Sequence, residues 1–144
     1  MSNYHKFYIN GEWVDPEPGS STFDVIHPGN EEAIATIAMG TKADVDKAVA
    51  AATEAFKTFG FSTVEERVDL LERILKAYEA RGEEFIKMMP YEMGTTMSFS
   101  REVHMPVGGG HLEAAIEALK AHDFERPALR GGSTLGDEPV GVVG

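Results

Sequence analysis

Glu138-Pro139-Val140-Gly141-Val142-Val143-Gly144 closes the sequence on a run of small apolar residues, and its reading decides the fold. Val and Gly in this density suit a strand buried in a sheet, whereas a terminus is ordinarily polar and frayed. Alone, such a strand would leave N–H and C=O groups unpaired along its edge. The run is therefore read as the first strand of a larger sheet, and the chain is expected to be cut within an α/β domain.

Working back from that run, His122 to Gly136 carries no helical period, and Arg130-Gly131-Gly132-Ser133 reads as a turn or strand crossing. Thr95 to Ser100 open a helical stretch through Ala121, bent or broken by Pro106 and by Gly108-Gly109-Gly110. Before it, Thr63 and Glu66 form a Thr-x-x-Glu capping box. Val64, Val68, Leu71, Ile74, Leu75, Tyr78, Phe85 and Met89 then mark one face of a long helix, weakened at Gly82 and kinked or ended by Pro90. Thr41 with Asp44 resembles a second capping box, and Val45, Ala48, Val49, Ala52, Phe56 and Phe59 predict a helix over about 42–59.

The first forty residues are β-like. Asn10-Gly11 lies between Phe7-Tyr8-Ile9 and Glu12-Trp13-Val14 and supplies the two positive-φ residues of a type I′ hairpin. Thr22–Ile26 and Ala33–Ala38 are expected to complete a small sheet with it. The order is thus a β-layer and three helices over 1–122, a strand region over 123–137, and the first strand of an incomplete sheet over 138–144.

Composition narrows the function. Thirteen Lys and Arg against twenty-four Asp and Glu give a formal charge of −11, which repels phosphate backbones and anionic lipid. Nucleic acid is accordingly not an expected partner. No apolar stretch approaches the ~20 residues of a transmembrane helix, and Met1 to Lys6 lack a signal-peptide core, so the expected location is the cytoplasm. Zero Cys removes disulfides, Cys-type zinc sites and any thiolate nucleophile within these residues.

The polar clusters read blandly. Gly108-Gly109-Gly110 fits neither dinucleotide nor P-loop spacing and lies inside a helical stretch, so close helix packing is preferred to phosphate binding. His104 and His111 are two helical turns apart, too far to share one ion. Glu31-Glu32, Glu65-Glu66, Glu83-Glu84, Asp123 and Glu125 read as solvated faces or caps, with pairs such as Glu72 and Lys76 at i,i+4 spacing. Ser98, Ser100 and Ser133 lack a Gly-x-Ser-x-Gly setting.

Taken in order, Phe7–Val14, Phe23-Asp24-Val25-Ile26-His27-Pro28, the segment from Ala43 to Ala52, Glu92-Met93-Gly94 and Glu138–Gly144 resemble the N-terminal part of the NAD(P)-dependent aldehyde dehydrogenase superfamily. The resemblance implies a parent enzyme in which a Cys thiolate attacks an aldehyde, hydride passes to NAD or NADP, and the thioester is hydrolysed. It implies that the Cys, a general-base Glu and an oxyanion-hole Asn lie outside these residues. The chain alone is then expected to bind no cofactor and to be inactive. It further implies a homodimeric or homotetrameric parent acting on a small-molecule aldehyde.

By the same resemblance, Val103 and Val107 align with positions at the mouth of the aldehyde tunnel, ordinary helix packing being the other reading. Ile26, through its backbone carbonyl, and Glu92, through its carboxylate, align with a monovalent-cation site of some members. One carboxylate alone is thin support for a hard-cation cage. His27-Pro28-Gly29-Asn30-Glu31-Glu32 departs from the family's Asn-Pro-x-x-Gly-Glu turn, and Ser133–Asp137 is poorer in β-branched residues than the usual oligomerisation arm. The competing reading is a free-standing, non-catalytic binding or assembly module. If the chain is a piece of a larger domain, its isolated form is expected to expose apolar surface and aggregate.

Overall fold

A computed structural model describes residues 4–129 and 131–144, so the expectations for Met1–Asn3 and Arg130 lie outside the described residues. The β-layer is not one sheet. Strands β1 (Phe7–Ile9) and β2 (Glu12–Val14) form a hairpin with Phe7 opposite Val14, while β3 (Thr22–Ile26) and β4 (Ala33–Ala38) form a separate antiparallel pair. A third pair joins β5 (Glu125–Pro127) to β6 (Thr134–Gly136). Each ladder is local because each closes over one short turn. The hairpin turn is as the sequence predicts, with Asn10 at φ 54 and Gly11 at φ 82.

The β3–β4 turn over residues 27–32 is held by local hydrogen bonds. Glu31 N–H donates to the His27 carbonyl at 2.9 Å, and Asn30 brackets Glu32 through both amide atoms. Glu31 itself sits at φ 61, the left-handed region that costs an L-residue about 1–2 kcal/mol. Glycine is at ease there, but loses more entropy on folding. Glu31→Gly is expected to raise the stability of the protein by about 1 kcal/mol, read as an upward shift of the urea midpoint with an unchanged m-value.

Helix α1 (Lys42–Phe59) begins at a complete capping box on Thr41 and Asp44, and α2 (Val64–Ala80) at one on Thr63 and Glu66. Asp44 does more than cap. It is 5% exposed and accepts from Thr41 N–H at 2.7 Å, Thr41 Oγ1 at 2.7 Å and Glu17 N–H at 2.9 Å, which fixes the loop before β3 to the start of α1. These bonds, that from the Thr41 amide foremost, hold its carboxyl below the usual aspartate range. Asp137 is likewise held low, by Arg126 and then by His122.

For both groups the folded pKa lies under the unfolded one. Their contribution is therefore complete above the ordinary aspartate value of about 3.9 and is lost as pH falls from there through the depressed values. Acid titration of unfolding should show a steeper acid limb in the parent than in Asp44→Asn or Asp137→Asn, which have no such carboxylate to protonate.

The expected long second helix is two. It stops at Ala80, Arg81 turns the chain at φ −103, ψ 11, and α3 runs Gly82–Met93. A Cβ at Gly82 would stand 3.1 Å from Met105 Cε, so the missing side chain lets the C-terminal helix approach. Pro90 neither ends nor caps α3. The helix closes instead at Gly94, φ 69, whose N–H donates to the Pro90 carbonyl at 3.1 Å.

The third helical stretch opens at Thr96, whose hydroxyl accepts from Phe99 N–H, with the single turn α4 (Met97–Phe99). A π-turn over Ser100–His104 follows, and then α5 (Met105–Ala121). Pro106 has no N–H to close the preceding turn, and the Met105 N–H reaches back five residues to Ser100. The glycine cluster lies unbroken inside α5. Lys120 on α5 reaches Glu72 on α2 at 3.3 Å, so the expected Glu72–Lys76 support is replaced by a bridge between helices.

The core is thin. Among the described residues Ile86 and Ile116, each 5% exposed, are the buried apolar side chains. Residues 138–144 enter no ladder, with Val140 and Val143 exposed; a strand needs a neighbour to bond, and none of the described strands adjoins it. The chain exposes 10732 Å² of accessible surface. A folded monomer of its mass ordinarily exposes about 7,300 Å². The excess, roughly 3,400 Å², is surface that a closed domain would cover.

Candidate functional site

Two regions carry the residues singled out from the sequence. In the first, the bulge between Val25 and Ile26 ends the regular β3–β4 register and turns the chain into His27-Pro28. The end of α3 lies alongside: the His27 and Tyr91 rings meet edge to face at 6.0 Å, and a Cβ at Gly94 would come within 2.9 Å of Pro28 Cγ. The structure thus brings the Ile26 and Glu92 segments together. Ile26 is 47% exposed, and Glu92, also exposed, lines a cleft of about 530 Å³ with Tyr4, Glu32, Ile37, Met88 and Tyr91. Among the described residues no cluster of three or more His, Cys, Asp or Glu side chains is placed to hold a metal.

In the second region the π-turn ends one residue after Val103, and Val107 follows in α5. Val103 lies within the wide turn and is partly buried, whereas Val107 lies in α5 and is 50% exposed. A spacing of four puts two residues on one face of an uninterrupted α-helix; here the helix changes from a π-turn to α-helix between them. Neither valine lines the cleft of about 430 Å³ between α2, α3 and α5, which is walled by Tyr78, Glu83, Ile86, Arg101 and Met105. Ser100, fully buried, anchors the π-turn by donating its hydroxyl to the Thr96 carbonyl at 2.9 Å. In the sequence Ser100 reads as part of the helix opening without a nucleophile's setting, and nothing local marks its burial.

Of the glycine cluster, Gly108 is the one that permits a close approach, whereas a Cβ at Gly110 would meet nothing within 4 Å. A Cβ at Gly108 would stand 2.8 Å from Tyr78 Cζ and nearer still to its hydroxyl oxygen, and that hydroxyl donates to the Met105 carbonyl at 3.0 Å. With their amides in the interior of α5, these glycines present no cradle for a pyrophosphate. His104 packs edge-on against Phe99 at 4.9 Å, and His111 lies further along inside α5.

A third cluster went unread in the sequence. Asp137 accepts from Arg126 Nη1 at 2.6 Å and Nη2 at 3.2 Å and lies 2.9 Å from His122 Nε2, while its N–H donates to the Phe124 carbonyl. It clasps the base of the β5–β6 hairpin to the end of α5. A bidentate pair eleven residues apart has no local spacing signal, so only the hairpin register reveals it.

With this geometry in view, the relatives agree. The sequence profile of the aldehyde dehydrogenase family matches residues 13–144. Provisionally named aldehyde dehydrogenases of Staphylococcus aureus and Staphylococcus epidermidis are 42% and 43% identical over all 144 residues. The crystal structure of an aldehyde dehydrogenase from Bartonella henselae superposes with a TM-score of 0.84 at 38% identity, over 92% of this chain and 28% of that one. A mutant of aldehyde dehydrogenase C from Pseudomonas syringae, complexed with NAD+ and octanal, gives 0.84 at 34% identity, over 94% and 27%. The chain belongs to the aldehyde dehydrogenase family. It spans 30% of the length of the curated relatives it matches. Among the described residues no helix is long and apolar enough to cross a membrane.

Proposed function

We propose that these residues are the N-terminal part of an enzyme that oxidises an aldehyde to a carboxylic acid with NAD+ or NADP+, and that they supply scaffold instead of reacting groups. The observation that carries this reading is the family match from residue 13 onward in a chain without a single Cys. The excess of exposed surface over that of a closed monomer supports it, being several times what a standard interface takes from one partner, about 800 Å².

The nicotinamide, when bound, would accept the hydride. The residues described do not fit it, since the glycines that tempt such a reading lie inside α5 and not at a strand-to-helix turn, and no step through the cofactor is assigned to them. The nucleophilic Cys, the general-base Glu and the oxyanion Asn would come from sequence outside this segment. Within it, Val103 and Val107 would form an apolar rim to the aldehyde's path. Ile26 and Glu92 would offer a carbonyl and a carboxylate to a monovalent cation, at the bulge and helix end that lie side by side. The clasped hairpin over 123–137 would serve assembly into a homodimer or homotetramer in the cytoplasm, and residues 138–144 would gain their ladder from strands that follow.

The test compares two proteins: the polypeptide extended to the relatives' length, and the 144-residue chain. Each is offered a panel of aldehydes with NAD+ and with NADP+. Formation of reduced nicotinamide by the first and none by the second is expected. Turnover by the short chain, or none by the extended one with any aldehyde, would overturn the proposal.

A further inference from the structure

The asparagines of this chain are Asn3, Asn10 and Asn30, and it contains no glutamine. Asn3 lies outside the described residues, and the other two sit in turns of opposite character. Asn30 is tied at both ends of its carboxamide, its Nδ2 donating to Glu32 Oε2 at 2.9 Å and its Oδ1 accepting from Glu32 N–H at 3.2 Å. The next residue, Glu31, carries a Cβ beside its amide nitrogen. The Asn10 carboxamide makes no hydrogen bond among the described residues. Its successor Gly11 has no side chain, and nothing stands within 4 Å of where a Cβ would be.

We propose that Asn10 is a site of spontaneous backbone rearrangement. The Gly11 amide nitrogen bonds to the Asn10 side-chain carbonyl carbon, the bond from that carbon to Nδ2 breaks, and ammonia leaves with the proton that Gly11 gives up. Water then opens the five-membered imide at either carbonyl, giving an aspartyl residue in normal linkage or an isoaspartyl linkage through the side chain. Solvent water is the only co-reactant. Glycine favours the first step because no Cβ obstructs ring closure and its backbone rotates freely.

The closed type I′ turn holds both residues at positive φ, so the reaction proceeds from the opened hairpin. That opening costs little. The β1–β2 pair has three residues a side, is separate from the other two ladders, and is a two-stranded unit of the kind that is marginal in water. The isoaspartyl product adds a methylene to the main chain. A two-residue loop so lengthened no longer sets the Phe7–Val14, Tyr8–Trp13 and Ile9–Glu12 register. Phe7, Tyr8, Ile9 and Trp13 of the hairpin line one cleft with Val45 and Ala48 of α1, so loss of the register removes one wall of that cleft.

The full-length protein, incubated in mildly alkaline buffer and sampled by peptide mapping, tests this. Asn10 should convert at least an order of magnitude faster than Asn30. The product should accept methyl groups from S-adenosylmethionine through a protein isoaspartyl methyltransferase. Amides of residues 7–14 should exchange faster in aged protein than in Asn10→Asp, which carries the same charge in normal linkage. Conversion of Asn10 no faster than Asn30 would overturn the proposal, as would equal exchange in the aged protein and Asn10→Asp.

Discussion

Gly108→Val in the full-length protein is expected to cost at least about 3 kcal/mol, and Gly108→Ala about 1–2 kcal/mol, although both replace glycine in the middle of a helix. Helix propensity alone would favour alanine by about 1 kcal/mol. The opposing term is the tyrosine against which α5 packs: a Cβ at 108 overlaps the Tyr78 ring end, and relief requires the ring to swing out and surrender its bond to the Met105 carbonyl. Overpacking of this kind costs about 1–3 kcal/mol, and a branched side chain has no free rotamer there.

The sign of the alanine effect should invert with the neighbour. In a Tyr78→Ala background the overlap is gone, and Gly108→Ala should stabilise by up to about 1 kcal/mol. Urea unfolding of the four proteins in this cycle checks it. Additive effects would show that α2 and α5 do not meet through this pair.

Val107→Phe is the second large effect, and it falls on specificity. Val107 is half exposed at the start of α5, so a larger ring there projects from the surface of this segment instead of into its core. If the position rims the aldehyde's path, kcat/KM for bulky aldehydes should fall by an order of magnitude or more, since exclusion acts on the larger transition-state complex. Acetaldehyde-sized substrates should be nearly unaffected, with little change in melting temperature. A uniform loss across aldehyde sizes with a clear drop in melting temperature would assign Val107 to packing between this segment and the rest of the enzyme.

What could be read from the sequence was what nearby residues decide. The Asn10-Gly11 turn and the two capping boxes were legible because each is a contest among three or four neighbours. The weak point at Gly82 is legible in the same way, but not that the helix ends there outright, with Arg81 turning the chain between α2 and α3. Pro90 was overrated as a stop: the helix signal that ends α3 is the left-handed Gly94, and its neighbour Pro28 lies on a distant strand turn. The β-layer was read as one sheet because alternation identifies strands without saying which of them pair. For Val103 and Val107 the alignment is by likeness, and the π-turn over Ser100–His104 that holds Val103 has no signal in the sequence beyond Pro106. Ile26 and Glu92 come from likeness alone; that their segments meet, through His27 with Tyr91 and Pro28 with Gly94, is a long-range contact with no local signal.

The thin core also bears on how such a protein is made. At translation rates of about 5–20 residues per second, a polypeptide of the relatives' length needs on the order of tens of seconds to emerge after these residues have left the ribosome. Throughout that interval the local ladders and helices can form, since each closes over a short loop, yet the valines of 138–144 and the phenylalanines at the α1–α2 turn, Phe59 and Phe61, face solvent. Under the proposed reading, the time this surface stays uncovered grows with the length of sequence synthesised after it, and with it the exposure to aggregation.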